Sequence, residues 1–272
     1  MLRILQWNMG GSPHARPPKP HPNAPGCAGA LTEWLLEYEP AIVALQEVTD
    51  ELLALVKMAP YEIQRGPLGF AVLVRRQLYQ TVKNYDLRQR VQVVQLDGVS
   101  RALASLIVFN VHLPVLHKDE DDRRDGNYLF ARDIVREVVD APTREGIIVG
   151  DFNLPPYDAF IVGRAGLAAN RDLAHARASR STAEPAFYNA SWTIFGGAAG
   201  AAGTYYRASV PHGPWQVPDQ LLLSPRLLEG RQFQVQVLTR LTRLPGYKVC
   251  TSGGRPSKQH TSDHLPVLLT IH

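Results

Sequence analysis

The chain of 272 residues has an ordinary globular composition, with 45% hydrophobic and 20% charged residues. This composition excludes a wholly disordered or fibrous protein, because enough apolar side chains are present to form a large core. Lysine and arginine number 29 against 25 acidic residues, and the net charge of +4 permits an anionic partner without requiring one. Layered sheet proteins often reach this length as one unit, so we expect a single domain over residues 1–272.

The sequence shows no disulfide framework and no membrane span. Cys27 and Cys250 have neither metal-ligand spacing nor the density of a disulfide scaffold. No apolar run approaches the ~18 residues of a transmembrane helix, and the chain starts without the layout of a signal peptide. These features predict a cytoplasmic protein with no stable membrane association. They do not predict its oligomeric state.

Several short apolar runs end in a compact polar group, which is typical of buried strands that lead into functional loops. Four such runs end at Asn8, at Gln46-Glu47, at His112 and at Gly150-Asp151-Phe152-Asn153. Further strands are expected at Ala71–Val74, Val91–Leu96 and Val267–Ile271, and the strand that ends before His112 is expected to begin at Leu103. Because strands follow one another directly in some parts and alternate with helices in others, we expect mixed sheets.

Two helices are predicted from apolar residues at helical spacing. The first contains Leu31, Trp34, Leu35 and Tyr38 and stops at Pro40. The second is expected to be capped by Asn127 and to carry the stripe Ala131, Ile134, Val135 and Val138. The charge run 119–125 before it is predicted to be a solvated loop. Loops are also expected at residues 10–26, rich in Gly, Pro and His, and at 196–203, almost wholly Gly and Ala.

Positive charge is concentrated late in the chain. Residues 226–258 hold seven Lys or Arg and one acid, Glu229, which gives this stretch a net charge of +6. A basic segment of this kind favours an anionic polymer such as nucleic acid as the partner. The alternative is that most of these cations are simply solvated surface charges.

Seven polar residues carry side chains that suit a hard metal ion and water activation: Asn8, Glu47, Asp151, Asn153, Asp219, Asp263 and His264. Oxygen donors without nearby cysteine suit Mg²⁺ or Mn²⁺ and argue against a zinc thiolate site. Asp151 and Asn153 are two apart, so on an extended segment both side chains point the same way. Asp263 and His264 are adjacent and share a site only if the chain turns there. Each residue alone is equally typical of an ordinary strand end or capped loop, so only their joint occurrence indicates a site.

Six short motifs occur in an order typical of one superfamily. They are Leu5-Gln6-Trp7-Asn8, Leu45-Gln46-Glu47, Asn110-Val111-His112-Leu113-Pro114, Val149-Gly150-Asp151-Phe152-Asn153, Pro218-Asp219-Gln220-Leu221-Leu222 and Ser262-Asp263-His264-Leu265-Pro266. Over residues 2–271 the chain thereby resembles the endonuclease/exonuclease/phosphatase superfamily. The resemblance implies an α/β fold, a four-layer α-β-β-α sandwich with two packed mixed β-sheets. It also implies metal-dependent hydrolysis of phosphate esters.

The resemblance assigns a metal site and a water-activating pair. Glu47 would be the principal Mg²⁺ ligand, with Asn8 and Asp263 close to the metal. His264 would activate the attacking water, and Asp219 would orient the imidazole and stabilise its protonated form.

The resemblance also assigns residues to the nucleophile and the phosphate. Asp151 and Asn153 would hold both of them. His112 and Arg101 would neutralise charge on the phosphoryl oxygens. Arg101 is equally consistent with an ordinary surface cation at a strand start.

His112 bears on the subclass. Apurinic-site endonucleases of the superfamily usually have tyrosine at this strand end, whereas deoxyribonuclease-like, sphingomyelinase-like and inositol-phosphatase-like members have histidine. Pancreatic-deoxyribonuclease-like members support that histidine with a glutamate before the 68–74 region. Here the nearest glutamate, Glu62, is out of register, which separates the chain from that subgroup. The region of Tyr205 and Tyr206 looks more like that of bacterial members whose substrates we do not assign.

The leading hypothesis is a Mg²⁺-dependent phosphodiesterase that acts on DNA or RNA as endonuclease or exonuclease. A small-molecule or lipid phosphatase or phosphodiesterase is the alternative within the same fold. The basic 226–258 stretch favours nucleic acid, and the absence of an apolar docking segment disfavours lipid. A catalytically inactive binding module is the third hypothesis. The complete set of metal and histidine positions argues against it.

Overall fold

The computed structural model describes residues 1–13, 19–57, 59–100, 103–115, 121–141, 143, 145–182, 184–195, 197, 201–209, 213–244 and 247–272. Residues 81, 99, 100, 103 and 121–126 are described by their backbone only. Arg101, predicted to bind phosphate, lies outside the described residues, as do residues 119 and 120 of the charge run and residues 196 and 198–200 of the predicted 196–203 loop.

Fourteen strands and six α-helices are found in the described residues. The strands are β1 Leu2–Asn8, β2 Ile42–Gln46, β3 Tyr61–Arg65, β4 Ala71–Arg75, β5 Thr81–Leu87, β6 Val91–Ser100, β7 Leu103–His112, β8 Gly146–Asp151, β9 Tyr188–Asn189, β10 Tyr205–Tyr206, β11 Trp215–Gln216, β12 Asp219–Leu223, β13 Phe233–Val237 and β14 Val267–Ile271. The helices are α1 Ala24–Tyr38, α2 Asp50–Leu55, α3 Asp121–Asp140, α4 Ala159–Val162, α5 Leu173–Ala178 and α6 Trp192–Phe195. Short 3₁₀ turns lie at Arg76–Leu78 and Ser179–Ser181.

The strands form two six-stranded mixed sheets and one hairpin. The first sheet has the order β13-β14-β1-β2-β4-β3, and only β1 and β2 are parallel in it. The second has the order β5-β6-β7-β8-β12-β9, and its one parallel pair among the named strands is β7 with β8. β10 and β11 pair separately as an antiparallel hairpin. The predicted mixed sheets are therefore present.

The alternation of side chains along each strand divides the core into layers. In β7, Leu106 and Val108 face the first sheet, whereas Ile107 and Phe109 pack on the other side with α3. In β1, Trp7 packs edge-on against Trp34 of α1, with ring centroids 5.2 Å apart. Helices thus cover the outer faces of both sheets, which gives the predicted four layers.

Three predictions about local structure are wrong. α3 begins at Asp121, so residues 121–125 of the charge run are helical and Asn127 lies inside the helix rather than capping it. The apolar stripe of α3 supplies enough burial to extend a helix over polar residues, and Ala131, Ile134 and Val138 are indeed buried. The loop predicted at 10–26 ends at Asn23, because α1 begins at Ala24 with Pro25 in its first turn.

In the part of the chain that the structure describes, no helix is both long and apolar enough to cross a membrane.

Candidate active site

Apart from Arg101, which is not described, the predicted site residues converge on one edge of the sandwich because of strand direction and register. Asp151 ends β8 and stands opposite Asp219, the first residue of the antiparallel β12. His112 ends β7, which runs parallel to β8, and pairs in register with Asp151. Asn8 ends β1 in the other sheet, and its side-chain Nδ2 donates to Asp151 Oδ2 at 2.8 Å. Both sheets therefore contribute polar side chains to the same edge.

His264 and Asp219 form a buried pair. Nδ1 of His264 lies 2.8 Å from Oδ2 of Asp219, whose residue is 0% exposed. Asp219 also accepts from Gln6 Nε2 at 2.8 Å and from Thr204 Oγ1 at 2.6 Å. Burial by itself lowers the pKa of His264, but the charge and hydrogen bond of Asp219, with Asp151 and Asp263 adding, raise that pKa to about 10. The carboxylate thus fixes the ring and favours its protonated form.

The turn that Asp263 and His264 require is present. The segment 261–266 is irregular and only afterwards enters β14. Ser262 holds it in place, since its Oγ donates to the carbonyl oxygen of Asn8 at 2.7 Å and accepts from the backbone N–H of His264 at 3.1 Å. Trp7 Nε1 donates to the carbonyl oxygen of His264 at 2.9 Å. These bonds to β1 set the position of the imidazole.

Asp151 lies at the centre of the predicted site residues, which we call the cluster. Its Oδ2 is 3.8 Å from Nε2 of His264 and 3.9 Å from Nε2 of His112. Its Oδ1 accepts from the backbone N–H of Asn153 at 2.8 Å. A carboxylate that is 2% exposed and faces two imidazoles is well placed to organise a water molecule or a phosphoryl oxygen.

Asn153 does not continue an extended tip as predicted. Its φ is 51°, and its Nδ2 donates to the carbonyl oxygen of Leu113 at 2.8 Å. The backbone bond to Asp151 Oδ1 stabilises a turn there, because Asn and Asp side chains readily support such local bonds. Asn153 therefore joins the loops that follow β7 and β8, and the alternation argument does not apply to it.

Glu47 and Asp263 provide the acidic part of the cluster. Oε1 of Glu47 is 3.5 Å from Nε2 of His112. Burial raises the pKa of Glu47 to about 7; Asp151 and Asp263 act in the same direction, while His264 and a hydrogen bond from Asn8 oppose it.

Oδ2 of Asp263 accepts from Nζ of Lys258 at 2.8 Å. Burial raises the pKa of Asp263, but His264 and Lys258 outweigh it and lower the value.

The pKa of His112 is lowered. Burial is the main cause, and Arg90 and His264 add to it against the charge of Asp151. The ring of His112 packs edge-on against Phe70, with centroids 6.5 Å apart. His112 therefore lies between carboxylates and the apolar ring of Phe70, where burial disfavours its protonated form.

The donor set fits a hard divalent cation. Asn8, Glu47 and Asp263 offer one amide oxygen and two carboxylates, and the carboxylates lie where burial makes uncompensated negative charge costly. Asn8 Oδ1 already accepts a hydrogen bond from Gly10 N at 3.0 Å, and its second lone pair could bind the cation. Among the described residues, no three His, Cys, Asp or Glu side chains are grouped to enclose a metal by themselves. Mg²⁺ commonly uses one or two carboxylates and completes its shell with water and substrate phosphate.

Four supporting residues were not predicted. Gln6 Nε2 donates to Gln46 Oε1 at 2.9 Å as well as to Asp219, and Gln46 Nε2 donates to Asn110 Oδ1. Thr204 holds Asp219 from the other side. All four are buried polar residues, and three of them stand inside the motifs at Leu5–Asn8, Leu45–Glu47 and Asn110–Pro114. A buried polar residue within an apolar run was the available signal.

A hairpin of aromatic residues borders the cluster. The ring of Tyr205 lies 4.8 Å from the imidazole of His264. Tyr206 packs edge-on against Trp215 with centroids 5.3 Å apart, and the Arg255 guanidinium carbon is 4.4 Å from the Tyr206 ring centroid. Aromatic and cationic side chains are thus continuous with the candidate catalytic residues.

The basic 226–258 stretch is not one surface. Arg226 pairs with Glu229 at 3.1 Å, and Arg231 pairs with Glu145 at 2.7 Å. Glu145 precedes the first residue of β8, whereas Asp151 is its last, so these pairs lie at the edge opposite the candidate site. Arg255 and Lys258 lie beside the site. The late concentration of charge in the sequence is therefore divided, with Arg255 and Lys258 at this edge and Arg226 and Arg231 at the opposite one.

Comparison with known proteins agrees with this geometry. Residues 5–264 match the Endonuclease/Exonuclease/phosphatase family. No curated protein matches the sequence significantly. The matched range contains all the motifs except the last two residues of the final one.

Solved structures share the fold at low sequence identity. D. rerio TDP2 complexed with a single-strand DNA product superposes with a TM-score of 0.62 and 18% identity, covering 100% of this chain and 98% of that one. Truncated Caenorhabditis elegans TDP2 gives 0.64 and 18%, with coverage of 99% and 97%. A mannosyl-6-phosphatase from Bacteroides thetaiotaomicron gives 0.60 and 12%, with 100% of both chains covered. The predicted four-layer sandwich is confirmed.

Proposed function

Because the chain belongs to the endonuclease/exonuclease/phosphatase family, whose members hydrolyse phosphoester bonds, we propose that it is a divalent-metal-dependent phosphodiesterase that acts on nucleic acid. We propose further that residues 1–272 act as one catalytic domain. The observation that carries the proposal is the Asp219–His264 pair, placed 3.8 Å from the carboxylate of Asp151 at the edge where both sheets end.

His264 is the residue proposed to receive the proton of the attacking water. With Nδ1 held by Asp219, only Nε2 is left to face the reacting groups. The water oxygen forms the new bond to phosphorus as the ester oxygen leaves, and the proton passes to Nε2. A neutral ring is needed for this step, and positive charge near Glu47 and Asp263 would favour it by offsetting the carboxylates that raise the pKa of His264.

The metal assignment rests on the donor set. Glu47 is the proposed principal ligand, and Asn8 and Asp263 lie around the same position. A bound Mg²⁺ or Mn²⁺ would stabilise negative charge that develops on the phosphoryl oxygens. Asp151 and Asn153 are proposed to hold the nucleophile, and His112 to contact the phosphate.

The aromatic hairpin beside His264 favours nucleic acid over a small substrate. Aromatic rings offer stacking surfaces to bases, and cations track the phosphate backbone. Tyr205 contacts the catalytic imidazole, and Tyr206, Trp215 and Arg255 continue the surface away from it. A substrate longer than one phosphoester can use all of these contacts at once.

An activity panel tests the proposal. Purified protein with Mg²⁺ is assayed on single-stranded DNA, duplex DNA, RNA, nucleotides, inositol phosphates and a nitrophenyl phosphodiester dye. We expect hydrolysis of the dye and of at least one nucleic acid, both abolished by EDTA and restored by Mg²⁺. Turnover that persists in EDTA contradicts the metal assignment. Hydrolysis confined to small phosphoesters contradicts the nucleic-acid assignment.

A small-molecule phosphoesterase is the second candidate, and a cavity favours it. A cleft of about 450 Å³ is lined by Val48, the residue after Glu47 in the sequence, and by Phe70, the residue that packs on His112. This volume lies within the range of ordinary small-ligand sites. The small-phosphoester arms of the panel distinguish this candidate from the first.

A further inference from the structure

A second group of aromatic side chains lies apart from the hairpin. The rings of Tyr157 and Phe195 meet edge-on with centroids 5.8 Å apart, and Phe195 meets Trp192 at 5.7 Å. The Arg171 guanidinium carbon lies 6.0 Å from the centroid of the Trp192 ring. We call these four residues the aromatic patch. Tyr157 is 53% exposed and Phe195 46%, so their ring surfaces face solvent.

The register of β9 places one half of the patch at the catalytic edge. β9 pairs antiparallel with β12, with Tyr188 opposite Leu223 and Asn189 opposite Leu222. The backbone N–H of Ala190 then bonds the carbonyl oxygen of Leu221 at 2.9 Å. The chain is therefore moving toward the Asp219 end of β12 when it enters α6 at Trp192. Because neighbouring strands lie about 4.8 Å apart, this position is about two strand spacings from Asp151.

The other half of the patch reaches the same edge from β8. Tyr157 follows Asn153 by four residues, a distance that an extended chain spans in at most about 14 Å. Gln220 Nε2 donates to the carbonyl oxygen of Leu154 at 2.7 Å, and Asn189 Nδ2 donates to Gln220 Oε1 at 2.8 Å. These bonds connect the loop of Tyr157, β12 and β9. The two halves of the patch are thereby held together beside the catalytic residues.

We propose that the aromatic patch is a base-stacking subsite for unpaired nucleotides of a single-stranded nucleic acid, at a distance from the scissile phosphate. The proposal rests on the nuclease activity proposed above. Exposed rings in mutual contact provide faces on which bases of any sequence stack, and Arg171 adds a cation next to the rings for the backbone. The patch lies on the β9 side of the second sheet. A strand bound across the site would contact it without blocking His264.

Substitutions of the exposed rings test the proposal. Tyr157→Ala and Phe195→Ala are compared with Tyr157→Phe, which keeps the ring, and with Leu36→Ala, which removes a side chain 62% exposed on α1 over the other sheet. Affinity is measured with single-stranded DNA of four, eight and twelve nucleotides. The loss of one stacked base lowers affinity about 5- to 150-fold. We expect this loss in the two alanine variants with the longer strands, and near wild-type affinity in both controls.

An abasic strand adds a second readout. If bases stack on the patch, the wild-type protein binds a partly abasic strand more weakly than the intact strand. The alanine variants should bind the abasic and the intact strand with equal affinity, because base and ring contribute through one contact. Hydrolysis of the nitrophenyl dye should be unchanged in every variant.

Three other results would overturn the patch, and they separate it from the proposed nuclease function. Equal affinity for the longer strands in the alanine variants and the wild type overturns the patch while leaving the nuclease function in place. A wild-type protein that hydrolyses the dye but neither binds nor cleaves any oligonucleotide overturns both. A parallel loss of dye and oligonucleotide hydrolysis in the alanine variants also overturns the patch, since it shows a general structural defect.

Discussion

Nε2 of Gln6 donates to Oδ1 of Asp219 at 2.8 Å, and this bond crosses from the first sheet to the second. The same amide nitrogen donates to Gln46 Oε1, and Gln46 in turn donates to Asn110 on β7. All of these residues are 0% exposed. A chain of buried amides thus holds the two sheets at a fixed separation directly beneath the Asp219–His264 pair.

Replacing Gln6 by Met should lower both stability and turnover. The substitution leaves the acceptors on Asp219 and Gln46 without this donor, at about 1–3 kcal/mol for each buried group left unpaired. Because Gln6 acts through Asp219, kcat should fall while KM for the dye stays near its wild-type value. Thermal melts and steady-state kinetics measure the two effects. Gln236→Met, on an exposed position of β13, is the matched control and should change neither.

Replacing Glu47 by Gln should reduce activity at least about 100-fold, since even residues that only support a metal ligand often contribute 10–100-fold. Little stability should be lost, because the variant removes a carboxylate whose pKa burial already raises to about 7. Calorimetric titration with Mg²⁺ should show weakened binding, and thermal melts should be close to wild type. A fully active variant would show that Glu47 is not the principal ligand.

His264→Ala and Asp219→Asn should each lower kcat by roughly 10²–10⁴-fold, the usual contribution of proton transfer by a positioned side chain. The two effects should not add, because Asp219 acts through the imidazole that it holds at 2.8 Å. Kinetics of both single variants and the double variant give the coupling. A double variant whose loss equals the product of the single losses would refute the pair.

Arg255→Gln should reduce the salt dependence of nucleic-acid binding. Each phosphate contact contributes a slope of about −0.7 on single strands and about −0.9 on duplex in a plot of log affinity against log salt. The slope should therefore become less steep by the amount of about one phosphate contact, without loss of dye hydrolysis. Arg226→Gln is the control, since Arg226 pairs with Glu229 at the far edge. Equal slopes for the two variants would remove Arg255 from the interface.

Gly150→Ala should prevent stable folding. Gly150 has a φ of 146°, and a Cβ there would collide with the carbonyl oxygen of Val111 in β7. This overlap lies within the sheet that carries Asp151. The free energy of unfolding should therefore fall by more than about 4 kcal/mol, which is exceptional for one substitution. Gly253→Ala is the control, because the nearest atom to its Cβ is 3.9 Å away and it should be nearly neutral. Urea unfolding measures both.

The main strands and α1 follow from local sequence. Apolar runs that end in polar groups located β1, β2, β7 and β8, because burial on both faces of a strand requires continuous hydrophobic side chains. The motif order indicated the family, which the match over residues 5–264 confirms. Oxygen donors without cysteine limited the metal to Mg²⁺ or Mn²⁺, and this remains a prediction. These conclusions depend only on residue types and short-range spacing.

Tertiary structure decided which residues touch. Gln6 and Asp219 are separated by 213 positions, and their bond depends on the spacing and register of strands in different sheets. Asn153 turns into a left-handed conformation because the amide contacts Leu113, 40 residues away, as well as Asp151. The division of the basic stretch also depends on a long-range contact, since Arg231 pairs with Glu145, 86 residues away, at the edge opposite the site. The sequence determines which side chains stand at the ends of the strands, whereas strand register and long-range packing determine which of them share a site.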